Sequence, residues 1–314
     1  MTGPGGRSLY CFGPAMKDLA GKVAFITGGG SGVGLGQAKV FAREGMKIVL
    51  ADVREDHLAD AMDAFREQPG VQVHPLHLDV TDREAYARAA DEAERVFGPV
   101  QLLCNTAGVS QFGPLQHATY DDWDWQIDVN LRGVINGIQT FLPRMLARGL
   151  EAHIVNTASM SAFIALPRTG IYCATKMAVR GLTECLALDL EGTPVGVSLL
   201  CPGAVKTNIH EAVFTRPGKY GHTGYYGRDP EVMQRLKDVI SVGLEPTTLA
   251  GHVLKAVRNG DFYVLPYPEF RETLEDIHAR VMSALARPED DPELGKRLQR
   301  GVPGARPPGA GKAN

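Results

Sequence analysis

The sequence predicts a doubly wound α/β domain in which about seven parallel strands form one sheet with helices on both faces. Three observations predict this fold. Seven short apolar runs recur along the chain, amphipathic segments separate them, and most of the runs end in Gly, Asp, Asn or Ser. Buried strands that alternate with helices form a parallel sheet covered on both faces. Ligands of such sheets bind beyond the carboxyl ends of the strands.

The predicted strands follow one another from residue 22 to residue 266. In chain order they are KVAFIT (22–27), KIVLAD (47–52), VHPLHLDV (73–80), VQLLCNTAG (100–108), HIVNTAS (153–159), VGVSLLCPG (195–203) and DFYVLP (261–266). Two of the predicted helices are GLGQAKVFAREG (34–45) and REAYARAADEAERVFG (83–98), where apolar residues recur at helical spacing. The polar residues and glycines that close the strands are therefore the first candidates for a ligand site.

Composition and charge limit the classes of protein to which this chain can belong. The chain has 314 residues, of which 44% are hydrophobic, and this is enough for a sizeable core. A net charge of −3 provides no basic surface for nucleic acid, no run is long enough to span a membrane, and residues 1–15 lack the apolar core of a secretory signal. We expect a cytoplasmic protein with reduced cysteines. The nine histidines lack ligand spacing, so no metal site is expected.

The predicted domain covers residues 16–287. Residues 1–15 are rich in Gly and Pro, and the same holds for the end of residues 288–314, so both segments are predicted to be flexible or disordered tails. Met16 stands directly before the first strand pattern and offers an alternative start of translation. Residues 208–245 form a long insertion without clear structure, which is typical of a lid or substrate loop.

The segment TGGGSGVG, from Thr27 to Gly34, places five glycines between the first strand and the first helix. Glycine lets another group approach the main chain closely, and the N-terminus of a helix favours a phosphate. The TGxxxGxG spacing of Gly28, Gly32 and Gly34 therefore predicts contact with the pyrophosphate of a dinucleotide. A tight turn between strand and helix, without a ligand, is the alternative interpretation.

Acidic residues close the next two strands. Asp52 lies 18 residues after Gly34, about where an acid reaches the hydroxyls of the adenosine ribose. A carboxylate there would repel a 2′-phosphate, so NAD is favoured over NADP. Arg54 weakens this prediction, because its charge could neutralise a 2′-phosphate. Asp79 closes the third strand and could meet the edge of the adenine.

Tyr172 and Lys176, in YCATK, are four residues apart and share one face of a helix. A nearby ammonium stabilises a phenolate and lowers the pKa of the tyrosine, which makes the phenol usable as an acid or base near neutral pH. Ser159 closes the strand HIVNTAS thirteen residues earlier, and its hydroxyl can hold a carbonyl or alcohol oxygen. The Tyr–Lys spacing alone is common on helix surfaces, but its place beside a strand end favours catalysis.

Together these motifs resemble those of the short-chain dehydrogenase/reductase family, whose fold is of the Rossmann type. The resemblance covers roughly residues 20–265 in the family's order and rests on TGGGSGVG, Asp52, Asp79, NTAG (105–108), VNLRG (129–133), NTAS (156–159), YCATK (172–176) and PGAVKT (202–207). The common family form of NTAG has a second asparagine where Thr106 stands. This departure still permits the turn and the close backbone approach.

The resemblance implies a set of functional residues. The catalytic tetrad would be Asn130, Ser159, Tyr172 and Lys176. The dinucleotide would be bound by Thr27, Gly28, Ser31, Gly32, Val33, Gly34, Asp52, Asp79, Val80, Asn105, Ala107, Gly108, Tyr172, Lys176, Pro202, Gly203, Val205 and Thr207.

The resemblance also implies a hydride transfer between a substrate carbon and the nicotinamide ring. Ser159 and Tyr172 would hydrogen-bond the substrate oxygen, and Tyr172 as phenolate would take the hydroxyl proton during oxidation. Lys176 would lower the pKa of the tyrosine and bind the nicotinamide ribose. Asn130 would hold a water molecule in a proton relay to Lys176.

Aromatic residues are concentrated on the expected substrate side. The insertion carries four of them, Phe214, Tyr220, Tyr225 and Tyr226, and this favours a lid over an apolar or aromatic substrate. Trp123 and Trp125 lie in TYDDWDW on a predicted helix near Asn130. For this pair, helix packing or a subunit contact is the simpler interpretation.

Six segments resemble a narrower group of enzymes. MKDLAGKVAFITGG, DREAYARAADE, NTAGV, TYDDWDW, RPGKYG and PYPEFRE are similar to the bacterial Cα-dehydrogenases of lignin β-aryl ethers. This similarity implies NAD-dependent oxidation of a benzylic secondary alcohol to the ketone, and it supports Met16 as the start. We expect YPEFRE (267–272) to shape the pocket or a subunit contact.

Two other functions stay open. One is an NADPH-dependent reductase of a 3-oxoacyl, steroid or quinone substrate. The other is a non-catalytic nucleotide sensor, against which the complete tetrad argues. The family usually forms dimers or tetramers, so we expect a homodimer or homotetramer that acts on a small aromatic alcohol or ketone, without nucleic-acid or membrane partners.

Overall fold

The computed structural model describes residues 13–66, 68–225 and 230–301. A parallel sheet of seven strands, in the order β3-β2-β1-β4-β5-β6-β7, lies at the centre of residues 13–267. The strands are β1 (Val23–Thr27), β2 (Lys47–Asp52), β3 (Val73–His77), β4 (Val100–Asn105), β5 (Ala152–Thr157), β6 (Val195–Leu200) and β7 (Tyr263–Val264). The predicted fold class and strand number are confirmed.

Helices connect the strands. In the same residues they are α1 (Gly32–Arg43), α2 (Glu55–Arg66), α3 (Arg83–Phe97), α4 (Tyr120–Ile127), α5 (Gly133–Arg148), α6 (Gly170–Asp189), α7 (Pro230–Ser241) and α8 (Pro246–Asn259). Helices α1 and α2 pack on β2, and α5 and α6 pack on β5. Helix α8 packs on α1, and α3 packs on α5. Strands β1, β5 and β6 are buried along their whole length, as uninterrupted apolar runs predict.

The order of the strands positions the site. β1 pairs with β2 on one side and with β4 on the other, so the chain reverses its direction of progress across the sheet at this point. The loops that follow β1 and β4 therefore diverge and leave a crevice at the carboxyl edge. The glycine-rich loop follows β1, and the NTAG segment follows β4.

The insertion has more regular structure than its sequence predicts. The described part of residues 208–245 contains 3-10 helices at Ile209–Phe214 and Gly218–Tyr220, followed by α7. An isolated parallel bridge joins Val205 to Leu244, so the two ends of the insertion lie side by side. The amphipathic pattern of α7 was overlooked among the Gly and Tyr residues that precede it. Tyr226 lies outside the described residues.

The ends of the predicted domain differ from the expectation. Residues 1–12 and 302–314 of the predicted tails lie outside the described residues. Gly13, in the predicted N-terminal tail, donates its N–H to the Gly260 carbonyl oxygen at 3.0 Å, and Met16 is fully buried. By their contacts the residues divide into two units, and the unit that contains the sheet ends at Tyr267.

Residues 268–301 belong to a second unit. It contains 3-10 helices at Pro268–Phe270 and Pro288–Asp290, together with α9 (Arg271–Ser283) and α10 (Leu294–Gln299). The first part of the predicted C-terminal tail, residues 288–301, is therefore largely helical. Five of the six residues of α10, LGKRLQ, have good helix propensity, which accounts for the helix there.

Two further findings, on the cysteines and on membrane spans, concern the described part of the chain. Cys104, Cys173 and Cys201 are buried free thiols, and Cys185 is an exposed one. None of the helices in these ranges is both long enough and apolar enough to cross a membrane.

Candidate active site

A cleft opens at the carboxyl ends of β1, β2, β3 and β4, with a volume of about 250 Å³. Most of the residues predicted to bind a dinucleotide line it, namely Gly28, Ser31, Gly32, Val33, Gly34, Asp52, Asp79, Val80, Ala107, Gly108 and Thr207. The insertion contributes further lining residues from Asn208 to Pro217. The structure thus brings together the glycine loop, two strand-end acids and the NTAG segment.

The glycine loop is tight because its own backbone folds closely on itself. Gly28 has a φ of +64°, and a Cβ there would lie 2.9 Å from the Ala107 Cα. A Cβ on Gly34 would lie 2.1 Å from the Gly28 carbonyl oxygen. The immediate partners at these two positions are protein backbone atoms. These contacts agree with the alternative of a tight turn between strand and helix, and contact with a pyrophosphate stays a prediction.

The start of α1 suits an anion. Ser31 precedes the helix but makes no capping hydrogen bond from its side chain; its hydroxyl donates instead to Asn208 Oδ1 at 3.1 Å. The first N–H groups of a helix have no acceptor within the helix and carry a partial positive charge. Those of Gly32, Val33 and Gly34 lie on residues that line the cleft. The residues present therefore fit the pyrophosphate of a dinucleotide.

Asp52 is held with its carboxylate towards the cleft. Its Oδ2 accepts from the Gly30 N–H and its Oδ1 from the Arg54 N–H, each at 3.0 Å. A carboxylate oxygen has a second lone pair, so both oxygens can still accept from a hydroxyl. The side chain is buried at the end of β2, and its contact with a ribose stays a prediction.

Some predicted dinucleotide ligands do not line the cleft. Thr27 is buried, and its Oγ1 accepts from the N–H groups of Thr106 and Ala107 at 3.0 and 3.1 Å, so it positions the NTAG loop. The Asn105 side chain points into the core, where it donates to Asn156 Oδ1 at 2.8 Å and accepts from the Tyr86 hydroxyl. A direct contact from either side chain to a dinucleotide is not supported, because these polar atoms are already used inside the protein.

The PGAVKT segment contributes only Thr207 to the cleft lining. Pro202 lies beside the tetrad, since its carbonyl oxygen accepts from Ser159 Oγ at 3.3 Å. Gly203 is half-buried next to it. Val205 is buried and bridges Leu244. This segment therefore accepts a hydrogen bond from Ser159 and, at Val205, pairs with the end of the insertion.

The four tetrad residues converge beside the cleft. Ser159 follows β5, and its Oγ accepts from the Ser161 N–H at 3.1 Å. Tyr172 and Lys176 lie on α6, where the Lys176 Nζ is 5.6 Å from the centre of the tyrosine ring and donates to the Thr157 carbonyl oxygen at 3.1 Å. A Cβ on Gly108 would lie 3.5 Å from the Lys176 Nζ. The cleft and the tetrad are therefore contiguous.

Asn130 occupies a π-helical turn, Asp128–Arg132, between α4 and α5. Turns of this kind are frequent at functional sites. The buried side chain makes two hydrogen bonds with the backbone of Val109, accepting its N–H at 2.8 Å and donating to its oxygen at 3.0 Å. It also donates to Thr175 Oγ1 at 3.3 Å. Asn130 therefore ties the loop after β4 to the helix that carries Tyr172 and Lys176.

Burial shifts the pKa of both titratable tetrad residues. It raises the pKa of the Tyr172 phenol to about 12, although a hydrogen bond with Ser159 acts in the opposite direction. It lowers the pKa of the Lys176 ammonium to about 8. Lys176 was expected to lower the pKa of Tyr172. In this structure Lys176 is not among the causes of the Tyr172 shift, and burial dominates it, so base catalysis needs further stabilisation of the ionised form.

The shifted pKa of Lys176 predicts a dependence of stability on pH. Between pH 8 and about 10.4, the ordinary lysine pKa, the unfolded chain holds more protons at Lys176 than the folded protein does. The free energy of unfolding contributed by this group therefore rises with pH in that interval. We expect the wild type to gain up to about 1.4 kcal/mol per pH unit relative to Lys176→Met, measured by urea unfolding at pH 8, 9 and 10. A constant difference would contradict the shift.

The insertion is attached to α4 by a buried ion pair. Arg216 Nη1 donates to Asp122 Oδ1 at 2.6 Å, and both side chains are almost completely buried, 8% and 0% exposed. The same guanidinium donates to Gln111 Oε1 at 2.6 Å and to the His222 carbonyl oxygen at 2.9 Å. It also lies over the ring of Trp125, 5.1 Å from its centre. We call this arrangement the Arg216 latch.

The aromatic residues of the insertion are mostly used for packing. Tyr220 is buried, and its hydroxyl donates to Asp128 Oδ2 at 2.6 Å. Tyr225 is buried against Gly113, where a Cβ would lie 2.2 Å from its ring. Phe214 is exposed. Trp125 is buried and Trp123 half-buried, and the simpler interpretation of Trp125 as a packing residue agrees with its place under Arg216.

One aromatic residue near the tetrad was overlooked. Phe112 follows the NTAG segment, and its ring meets that of Tyr172 edge to face with centres 5.5 Å apart. The sequence analysis also assigned no role to Arg216 and Asp122. A signal existed for Asp122, because Thr119 and Asp122 have the spacing of a capping box, which the structure contains. Nothing local in the sequence indicates its pairing with Arg216.

Comparisons with known proteins match most of the chain. The short chain dehydrogenase family profile matches residues 22–217, which include all four tetrad residues. A C alpha-dehydrogenase of Sphingobium sp. strain SYK-6 is 48% identical over 279 residues, covering 88% of this chain and 91% of that protein.

Two solved structures are similar to this chain in both fold and sequence. The apo form of LigO from Sphingobium sp. strain SYK-6 has a TM-score of 0.77 at 54% identity, and the match covers 92% of this chain and 100% of that chain. A short chain dehydrogenase/reductase from Burkholderia phymatum in complex with NAD has a TM-score of 0.79 at 39% identity, covering 84% and 97%.

Proposed function

The chain belongs to the short-chain dehydrogenase family, and we propose that it uses NAD to oxidise a bulky aromatic secondary alcohol to the ketone. The proposed substrate class is benzylic, of the β-aryl-ether kind. The observation that carries the proposal is the convergence of Ser159, Tyr172 and Lys176 at the end of a cleft that fits a dinucleotide. That arrangement places an acid–base pair where the cofactor and the alcohol would meet.

Three observations support NAD as the cofactor. The buried Asp52 carboxylate retains acceptor capacity for ribose hydroxyls. Its negative charge opposes a 2′-phosphate. The similar enzyme from Burkholderia phymatum was solved in complex with NAD. When bound, NAD supplies the hydride acceptor, and the protein supplies binding, orientation and electrostatics.

Each residue of the tetrad has a proposed role. Ser159 Oγ donates to the Pro202 oxygen over a long 3.3 Å and accepts from the Ser161 N–H, so its proton can turn to the substrate oxygen. Tyr172, beside Ser159, takes the hydroxyl proton of the alcohol as phenolate. Lys176, one turn further along α6, stabilises that phenolate and donates to the nicotinamide ribose. Asn130 fixes the loop at Val109 and holds a water for the relay to Lys176.

The aromatic substrate class rests on two observations. Phe112 stands edge to face against Tyr172, so an apolar ring adjoins the group that would receive the proton, and an aryl group can pack there. The 48% identical relative is called a C alpha-dehydrogenase. The alternative is an NADPH-dependent reductase of a 3-oxoacyl, steroid or quinone substrate, and an assay of cofactor and substrate preference distinguishes the two.

A homodimer or homotetramer is also proposed. Ile135 and Leu146 on α5, together with Met177 and Leu188 on α6, are exposed apolar side chains. Such side chains are suited to an interface between subunits.

The decisive experiment is a nicotinamide absorbance assay on the purified protein. NAD and NADP are offered separately with a β-aryl-ether model alcohol, beside a panel of steroid and 3-hydroxyacyl alcohols. We expect reduction of NAD with the aryl ether and little with the other alcohols. Turnover confined to NADP or to the other alcohols would overturn the cofactor or substrate assignment, while tight binding of NAD without any turnover would favour a sensor.

A further inference from the structure

We propose that Asp56 is a cofactor-selectivity residue, because it holds the Arg54 guanidinium away from the position of a ribose 2′-phosphate. This inference rests on the proposed use of NAD and goes further by naming the residue that neutralises Arg54. The geometry behind it is an ion pair at the start of α2, two residues beyond the carboxylate expected to bind the ribose.

Arg54 is the cation that could reverse the preference for NAD. It lines the cleft beside Asp52, and its N–H is bound to the Asp52 carboxylate. An arginine at such a place can pair with a 2′-phosphate through two parallel hydrogen bonds. Whether it does so depends on where the guanidinium is directed.

The Asp56 carboxylate accepts hydrogen bonds from two nitrogen atoms of the Arg54 guanidinium. Arg54 Nε donates to Asp56 Oδ1 at 2.7 Å, and Arg54 Nη2 donates to Asp56 Oδ2. This is the fork-to-fork arrangement that a phosphate would otherwise receive. The pKa of the Asp56 carboxyl is held below its ordinary value mainly by the hydrogen bond from Arg54, so Asp56 stays ionised at neutral pH.

The charge around Arg54 adds to the effect. Asp52 and Glu211 both line the same cleft and interact electrostatically with Arg54, as Asp56 does. Three carboxylates therefore surround one guanidinium. A 2′-phosphate brought there would meet an excess of negative charge, as well as a cation two of whose five N–H donors are already bound to Asp56.

The size of the effect follows from the exposure of the pair. Asp56 is 62% and Arg54 29% exposed, and breaking an exposed ion pair changes an equilibrium constant by about fivefold or less. Removing the carboxylate also reduces the repulsion of a phosphate. We therefore expect Asp56→Asn to tighten the binding of NADP by about tenfold.

The test is isothermal titration calorimetry with NAD and NADP on the full chain. It uses the wild type, Asp56→Asn, Arg54→Ala and the double variant. The gain in NADP affinity caused by Asp56→Asn is expected to fall to about twofold or less in the Arg54→Ala background, because the gain acts through Arg54. Glu55→Gln is the matched control, since it removes the same charge one residue earlier and leaves the Arg54 pair intact.

The possible outcomes separate this inference from the proposed function. If the wild type binds NAD and Asp56→Asn gains no NADP affinity, or gains equally with and without Arg54, the inference is wrong and the proposed function stands. If Glu55→Gln gains as much as Asp56→Asn, general charge rather than Arg54 sets selectivity, and the inference is again wrong. If the wild type binds neither nucleotide, the proposed function itself fails.

Discussion

Tyr172→Phe is expected to lower kcat by about 10²–10⁴-fold, the range typical of losing a general acid or base. The phenol hydroxyl is the proton acceptor in the proposed oxidation, and no other titratable hydroxyl or thiol has been assigned to that step. The ring remains, so the edge-to-face contact with Phe112 and the fold should persist. The binding constant for NAD, measured by calorimetry, should change little, because the loss concerns the chemical step.

Tyr120→Phe is the matched control for this experiment. Tyr120 begins α4 and is 88% exposed, so the same loss of a hydroxyl there should leave kcat within a factor of about two. Turnover of Tyr172→Phe at the wild-type rate would remove Tyr172 from the mechanism. A large fall in the melting temperature of Tyr172→Phe, together with the fall in kcat, would instead indicate a structural role.

Arg216→Met is expected to reduce the free energy of unfolding by about 3–5 kcal/mol, because it leaves the Asp122 carboxylate buried without its cation. Hydrogen bonding with Arg216 helps to hold the pKa of Asp122 below its ordinary value against the effect of burial, which raises it. The change also removes the donors to Gln111 and to the His222 carbonyl oxygen. Urea unfolding at pH 7 measures the loss.

The same variant should weaken NAD binding. Thr215 and Pro217, on either side of Arg216, line the cleft, so releasing the Arg216 latch should loosen that wall. Calorimetric titration with NAD measures this effect separately from stability.

Two further variants test whether the loss of stability comes from the buried ion pair. Arg235→Met changes an arginine of the same insertion whose ion pair with Glu231 is 81% and 85% exposed, so it should cost at most about 1 kcal/mol. The double variant Arg216→Met/Asp122→Asn removes both buried charges and should recover part of the loss. If Arg216→Met proves no more destabilising than Arg235→Met, the Arg216 latch is not a buried ion pair in solution.

Burial of the tetrad fixes its geometry but works against the ionised forms that its proposed chemistry needs. Burial that positions Tyr172 and Lys176 also raises the pKa of the phenol and lowers the pKa of the ammonium. Both shifts favour the neutral forms, whereas the proposed base is an anion supported by a cation. Groups with perturbed pKa values of this kind are typical of functional sites, and they make the site less stable than an apolar core of the same size.

Much of the fold and part of the site followed from the sequence by itself. Strand runs, helix periods and the residues that close each strand are local patterns, so they predicted the parallel sheet, the glycine loop and the position of Asp52. The four-residue spacing of Tyr172 and Lys176 is local as well, because one helix carries both. The family followed from the order of these motifs, and the matched profile confirmed it.

The tertiary structure alone decided how distant polar groups are paired. Arg216 and Asp122 are 94 residues apart, and their pairing depends on how the insertion lies against α4. Asn105 was expected in the cleft, yet its side chain reaches Asn156, 51 residues away in the neighbouring strand. Arg54 and Asp56 are close in sequence, but only the turn between β2 and α2 decides that their side chains meet. Local periodicity carries no information about such contacts, because they depend on the relative positions of elements that are distant in the sequence.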